Sequence, residues 1–253
     1  MKISLIVLLG KQHYKLIQKI IKENNYFDEI IFTTNISDNS VINNIKHLIK
    51  PFDKVRLLQL KTDDFSEMRN RSLKKAKNNW VFFLDADEVI DKQLQTLLKT
   101  TELNSKAAGY RIPRYDVFLG KKIKYGEVFK QRLFGITRLI NKNIEGRWIG
   151  KVHEVYQTSG KVYKLSGSII HNSHAGVKDF LHKINYYSDL RAKELAQKNI
   201  STIEIFTIPI LKFIYSYFIL LGFLDKAEGF IYSFMMSFHS FLSRAKAYVG
   251  KNN

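Results

Sequence analysis

Short apolar runs alternate with amphipathic stretches over the first hundred residues. Ile3 to Leu8, Glu29 to Thr33, Val55 to Leu60 and Trp80 to Leu84 are short and rich in β-branched or aromatic side chains, which predicts strands. His13 to Asn25, Val41 to Lys50 and Asp64 to Lys77 repeat their apolar positions at helical spacing, which predicts the intervening helices. Strands and helices in alternation imply a parallel sheet covered on both faces. The fourth run, Trp80-Val81-Phe82-Phe83-Leu84, has no polar alternation at all, as expected of a central strand buried on both sides. Ligands of such sheets bind beyond the carboxyl ends of the strands, and Asp85-Ala86-Asp87-Glu88 stands at that place.

Residues 108–171 change character. Extended segments are predicted around Tyr110 to Phe118, Gln131 to Ile140, Lys151 to Gln157 and Val162 to Ile170, separated by Gly-containing turns, so this is an antiparallel or mixed β region. A polar amphipathic helix is expected over Val177 to Gln197. From Ile203 to Tyr248 the chain becomes strongly apolar, with 12 of its 33 aromatic residues, interrupted at Pro209 and at Gly222 to Gly229. The twelve-residue run Phe213 to Leu224 is too short for a spanning helix of ~20 residues, so two aromatic helices are expected to lie in a membrane interface or to cover another protein surface. The first apolar run, Ile3 to Leu9, is short and lacks a small-residue cleavage site, so it reads as a strand rather than a signal peptide, and a cytoplasmic location is expected.

Composition narrows the function. The 253 residues carry 41 Lys plus Arg, 23 Asp plus Glu and no cysteine, a formal charge of +18. The cysteine count removes disulfide scaffolds, catalytic thiols and thiolate metal sites. The charge calls for an anionic partner. It is concentrated: residues 109–170 hold 13 basic and 4 acidic side chains, half of the whole excess. A nucleic-acid-binding protein is one alternative, but there is no RNA-binding aromatic-Gly motif, zinc finger or helix-periodic basic stripe, and no nucleic acid is expected.

Asp85 and Asp87 are the strongest chemical signal. Two carboxylates two apart, where a buried strand turns, can aim at one point, and a divalent cation such as Mg²⁺ or Mn²⁺ relieves their repulsion while keeping positions open for phosphate oxygens. The competing reading makes them caps of the helix predicted over Asp91 to Thr100. Glu154, in Arg147-Trp148-Ile149-Gly150-Lys151-Val152-His153-Glu154, is a carboxylate among apolar and aromatic neighbours and a candidate general base for a hydroxyl, although an exposed strand Glu is more often solvated. Ile169-Ile170-His171-Asn172-Ser173-His174 puts two imidazoles at the end of a strand, and one of them, His171 or His174, could complete a metal site, against the commoner role of a packed imidazole.

The run Arg69-Asn70-Arg71-Ser72-Leu73-Lys74-Lys75-Ala76-Lys77-Asn78-Asn79-Trp80-Val81-Phe82-Phe83-Leu84-Asp85-Ala86-Asp87-Glu88 resembles the nucleotide-sugar site of family 2 glycosyltransferases with the GT-A fold. Arg132-Leu133-Phe134, Gly150 to Glu154, His171, Lys183 with Tyr186-Tyr187, and the aromatic tail are similar to the branch of bacterial lipopolysaccharide core β-glucosyltransferases, so the resemblance covers roughly residues 28–248. It implies an α/β fold: a Rossmann-like GT-A central sheet, a mixed β acceptor region and a carboxyl-terminal aromatic helical tail. The corresponding division is a glycosyltransferase domain over 1–200, with a nucleotide-sugar half (about 1–107) and an acceptor half (about 108–200), followed by a tail over 201–253.

By that resemblance the activity is inverting transfer of a sugar, a hexose such as glucose, from a nucleotide-diphosphate donor to a hydroxyl of a glycan or glycolipid in cell-surface glycan synthesis. Mn²⁺ or Mg²⁺ would sit on Asp87, with Asp85 on the ribose or on the metal through water, and His171 a further ligand. Glu154 would be the catalytic base, and Arg132, Arg69 and Asn70 would contact the diphosphate or the donor sugar. An anionic membrane surface would be a partner, placing the protein on the inner face of the cytoplasmic membrane. One departure stands out. The second strand ends Phe32-Thr33-Thr34-Asn35, where the family carries an Asp for the donor base, and Asp38 is the nearest substitute. The alternative enzyme is a haloacid dehalogenase-like phosphotransferase with Asp85 as nucleophile, but its motif belongs on the first strand of such a fold, not on the fourth.

Overall fold

The computed structural model describes residues 1–150, 154–174, 176–197 and 200–252. Its strands are β1 (Ile3–Leu8), β2 (Glu29–Thr34), β3 (Val55–Gln59), β4 (Trp80–Asp85), β5 (Glu88–Ile90), β6 (Gly109–Ile112), β7 (Arg114–Phe118), β8 (Lys121–Ile123), β9 (Ile136–Asn141), β10 (Gly146–Ile149), β11 (Val155–Thr158), β12 (Val162–Lys164) and β13 (Ile169–His174). The helices are α1 (Ile17–Glu23), α2 (Asn39–Ile49), α3 (Phe65–Lys75), α4 (Lys92–Thr100), α5 (Phe129–Phe134), α6 (Val177–Leu195), α7 (Thr202–Ile214) and α8 (Lys226–Asn252). They form two compact units: Met1–Pro113 with Phe134–Ile169, and Arg114–Leu133 with Ile170–Asn253.

The first unit is built on a seven-stranded sheet in the order β12-β6-β9-β4-β1-β2-β3. Strands β4, β1, β2 and β3 are parallel. Beyond β4 the sheet turns mixed, because β9 runs antiparallel to both β4 and β6, while β12 is parallel to β6. Every residue of β1 and β2 is buried, the polar Ser4, Glu29, Thr33 and Thr34 included. Successive side chains of a strand point to opposite faces. Leu5, Val7, Ile30, Phe32, Phe82 and Leu84 accordingly pack on one side with Ile20 and Ile45, and Ile6, Ile31, Val81 and Phe83 on the other with Leu73, Trp148 and Tyr156. Helix α2 presents Val41, Ile42, Ile45 and Ile49 inward at helical spacing, and α3 starts at Asp64, whose carboxylate accepts from the Ser66 and Glu67 amides.

Three local departures from the periodicity have physical causes. The stretch expected as one helix from His13 begins as a 3-10 turn over Lys11–Leu16 and becomes α-helical only at Ile17, where the buried apolar positions start. The stretch expected as extended from Gln131 instead closes helix α5 and then begins β9. Gly135 makes the change: it sits at φ +71, and a Cβ there would lie 2.9 Å from the Ile112 backbone, so only glycine fits. The third departure is β5, three residues directly after the Asp85–Asp87 turn. The extended segment expected from Lys151 falls partly on residues 151–153, outside the described residues, and appears as β11 from Val155.

In the second unit, Phe118, Ile123, Val128, Phe180, Ile184, Tyr232 and Met235 form the core. Pro209 does not interrupt the tail; it lies inside α7, and its carbonyl accepts a 2.7 Å hydrogen bond from the Ser237 hydroxyl. Helix α7 runs on through a π turn at Tyr215–Ile219, and the chain then reverses into α8. The turn is tight. A Cβ at Gly229 would fall 2.0 Å from the Gly222 carbonyl oxygen.

His174, at the end of β13, stacks on Phe180 with ring centroids 3.5 Å apart. Burial, followed by the nearby Lys183 charge, pushes its imidazole down to about 4. The unfolded chain therefore binds a proton near pH 6.5 that the folded chain refuses, so stability is lost as pH falls from ~6.5 towards 4. Urea unfolding across this window should give a midpoint that falls for the native chain and falls less for His174→Gln; parallel curves would contradict the assignment.

Candidate active site

Asp85 closes β4, opposite Leu8 of β1, at the carboxyl edge of the parallel strands. Its two carboxylate oxygens are held by different guanidinium groups: Arg69 Nη2 donates to Oδ1 at 2.8 Å and Arg138 Nη2 to Oδ2 at 2.7 Å. Arg138 also donates to Glu88 Oε1 at 2.9 Å, and Glu88 Oε2 accepts the Asp85 backbone N–H at 3.0 Å. From the other side Arg69 Nε donates to Glu154 Oε1 at 3.0 Å. Two arginines thus join three carboxylates into one chain, Glu154–Arg69–Asp85–Arg138–Glu88.

The elements explain why these groups meet. Arg69 lies on the buried face of α3 with Ser66, Met68, Ser72 and Leu73. Its guanidinium stands 4.9 Å from the Trp148 ring and 5.6 Å from the Phe83 ring, aromatic faces that favour a cation where water is excluded. Asn70 clips the same helix to β10: its Nδ2 donates to the Trp148 carbonyl and its Oδ1 accepts the Trp148 amide, both at 2.8 Å. β10 pairs antiparallel with β11, Ile149 opposite Val155, and Glu154 immediately precedes that strand. The linking residues 151–153 lie outside the described residues. Arg138 is a charged position within apolar β9. Burial alone would lower its basicity, but the charges of Asp85, Glu88 and Glu154 raise it above the ordinary arginine value.

Asp87 occupies the turn between β4 and β5 and is half-buried. Neither Asp85 nor Asp87 caps the following helix, since Asp91 does so through the Leu94 amide at 2.8 Å. Among the described residues no group of three or more His, Asp and Glu forms a ready metal cage. The carboxylates present nonetheless fit a hard cation held by one or two protein oxygens and completed by phosphate oxygens, which is how Mg²⁺ is usually bound. Asp85 closes β4 and Asp87 lies in the turn after it, so both offer hard oxygen donors of the kind such a cation takes.

Each of the remaining sequence candidates has contacts of its own. Asp38 caps α2: its Oδ1 accepts from the Ser40 and Val41 amides and Oδ2 from Lys11 Nζ at 3.0 Å. The Ser40 hydroxyl first, then Lys11 and the Val41 amide, hold its carboxyl well below the usual carboxylate range. His171 and Arg132 belong to the second unit. His171 Nδ1 donates to Asp116 Oδ1 at 2.9 Å, and the other Asp116 oxygen accepts the Tyr232 hydroxyl at 2.6 Å. Burial would push the Asp116 carboxyl up, but His171, Arg114 and Tyr232 together hold it well below its ordinary value. Arg132 donates Nε to the Lys124 carbonyl at 2.6 Å and lies over the Tyr125 and Phe129 rings.

The model of the family described as "Glycosyl transferase family 2" matches residues 14–157, which contain the whole ionic chain. The chain belongs to glycosyl transferase family 2. Its central mixed sheet with helices on both faces is that of the GT-A fold, and membership displaces the phosphotransferase alternative. An uncharacterized glycosyltransferase of Rickettsia prowazekii (strain Madrid E) is 26% identical over 269 residues, covering 97% of this chain and 86% of that protein. The lipopolysaccharide core biosynthesis glycosyltransferase LpsC of Rhizobium meliloti (strain 1021) is 24% identical over 245 residues, covering 92% and 88%. Among solved structures, S. aureus TarS 1–349 in complex with UDP is similar at 14% identity and a TM-score of 0.48, covering 100% of this chain and 92% of that one.

Arg138 and Glu88 are the members of this glycosyltransferase's ionic chain that reading for motifs passes over. A lone arginine inside Ile136-Thr137-Arg138-Leu139-Ile140 was the available signal, since a buried strand tolerates a charge only when it is paired. The Glu88 side chain is fully buried. Arg138→Met, which leaves it there without its guanidinium, should lower unfolding free energy in denaturant by about 3–5 kcal/mol. Adding Glu88→Met should recover much of that loss; a double variant as unstable as the sum of the singles would show that the pair is not the cause.

Proposed function

We propose that this glycosyltransferase moves a hexose, with inversion, from a nucleotide-diphosphate donor to a hydroxyl of a glycolipid acceptor in lipopolysaccharide core or related cell-surface glycan synthesis. The observation that carries the reading is the Arg69 bridge, which places the Glu154 carboxylate one guanidinium away from Asp85 at the carboxyl edge of the sheet. A base and an acidic donor site at that separation suit one displacement reaction. The lipopolysaccharide assignment is supported by the likeness to LpsC.

Glu154 takes the proton of the acceptor hydroxyl as that oxygen bonds to the anomeric carbon and the bond from carbon to the diphosphate oxygen breaks. The products are the glycosylated acceptor, the nucleoside diphosphate and a protonated Glu154. Arg69 is a positioning residue: it holds Glu154 Oε1, which assigns the proton to the other oxygen, and its aromatic seat fixes where the carboxylate points. Asp87, with Asp85 beside it, would hold Mn²⁺ or Mg²⁺, which when bound neutralises charge on the departing diphosphate. Asp85, already gripped through both oxygens, orients that site. The acceptor would be met at an anionic membrane surface on the cytoplasmic side, a reading supported by Thr202–Ile219, a helical segment long and apolar enough to cross a membrane by length and composition, of which 17% is buried.

Release of nucleoside diphosphate from a panel of sugar nucleotides with Mn²⁺ tests the activity. Glu154→Gln should lower transfer at least ~10²-fold while donor binding by isothermal titration stays intact, because general base catalysis contributes on that scale. Asp87→Asn should weaken Mn²⁺-dependent donor binding itself. Equal loss of donor binding in both variants would remove Glu154 from the role of base.

A further inference from the structure

The reversal between α7 and α8 is built inside out. Its inward positions are small: Ser216, Gly222, Gly229 and Ser233 are buried, and the Ser216 and Ser233 hydroxyls meet at 3.1 Å. Its large apolar side chains face outward instead, with Phe218 53%, Ile219 64% and Leu224 47% exposed. A turn closed by small residues and crowned by aromatic and aliphatic ones offers an apolar surface that its own unit does not cover.

A basic segment is fastened to this turn. The Gly126 amide donates to the Leu220 carbonyl at 2.9 Å, and Asp225 Oδ2 accepts the Lys124 and Tyr125 amides at 2.7 and 2.8 Å. The local acids are engaged within the unit: Glu127 with Lys212, Asp225 with those amides and Glu228 with Lys121. Lys122, Lys124, Lys130 and Lys226 are exposed. Lys130 lies 5.9 Å from the Tyr215 ring. The unit as a whole has 16 basic and 8 acidic side chains. A second copy of the chain would set these cations against one another, whereas an anionic bilayer satisfies the apolar crown and the lysines together.

We propose that the turn at Tyr217–Leu224 and the basic segment Lys121–Arg132 form one surface that docks on an anionic lipid bilayer, the turn entering the interface and the lysines meeting lipid phosphates. The proposal rests on the membrane reading given above and locates it. Such two-part docking requires both an apolar and a charged contribution, and the charged one weakens with salt.

Co-sedimentation of the full chain with vesicles of phosphatidylcholine alone, or mixed with phosphatidylglycerol, tests it. The native chain should bind the anionic vesicles at least about tenfold more tightly, and salt should reduce the difference. Phe218→Ser with Ile219→Ser should abolish binding to both. Lys122→Glu with Lys124→Glu and Lys130→Glu should abolish the preference for anionic vesicles. Unchanged release of nucleoside diphosphate would show that these variants remain folded. Native binding that neither variant set alters would overturn this surface and leave the membrane reading standing. No binding by the native chain would overturn both. A dimer in analytical ultracentrifugation that Phe218→Ser with Ile219→Ser dissolves, with vesicle binding unaffected, would assign the face to self-association and overturn the proposal.

Discussion

The double grip on Asp85 is the constraint on which the site depends. A carboxylate at the end of a buried strand is costly unless its charge is met, and here each oxygen meets a guanidinium that is itself almost wholly buried. Neither arginine can leave without exposing a carboxylate to an apolar surround. Each therefore fixes an element: Arg69 holds α3 against Trp148 and the segment at Glu154, and Arg138 holds β9 and the β5 turn through Glu88. The cluster adds little to stability against an apolar replacement of equal volume, but it permits one arrangement of carboxylates and few others. A displacement reaction with an incoming hydroxyl and a departing diphosphate needs that kind of fixed geometry more than it needs stability.

Much of this was legible along the chain. The runs at Ile3, Glu29, Val55 and Trp80 are the strands of a parallel sheet, and the uninterrupted apolar run Trp80 to Leu84 is buried because it has nowhere to go but between two layers. The Asp85–Asp87 turn was readable for the same reason, since the only polar residues after such a strand lie where the sheet ends. What periodicity does not reveal is contact across distance. Glu154 is 85 residues from Arg69, and no local pattern says that the two meet. Arg138 was hidden in an apolar strand, and Glu88 looked like the last letter of an acidic motif when its side chain is a buried counter-charge. Helix α5 escaped because one glycine at positive φ, not a shift in hydrophobic period, sets its end.

The second unit solves a different problem. Asp116 is its counterpart of Asp85, a buried carboxylate shared among His171, Arg114 and Tyr232, so that β7, β13 and α8 are bound by one acid. The sequence offers His171 as a metal ligand or a packed imidazole but not the identity of its partner, because Asp116 lies 55 residues away. The aromatic tail was legible as a stretch for a membrane interface or a protein surface, but the packing of its turn was not. Only the small residues packed inside its turn explain why Phe218 and Ile219 face away from the core.

Arg69 is proposed to act on transfer through Glu154, as one unit with it. A double-mutant cycle with Arg69→Met and Glu154→Gln, read as the rate of sugar transfer at saturating donor, tests it most directly. The double variant should transfer no more slowly than Glu154→Gln alone. Losses that multiply would mean that the two side chains act independently, and would contradict it.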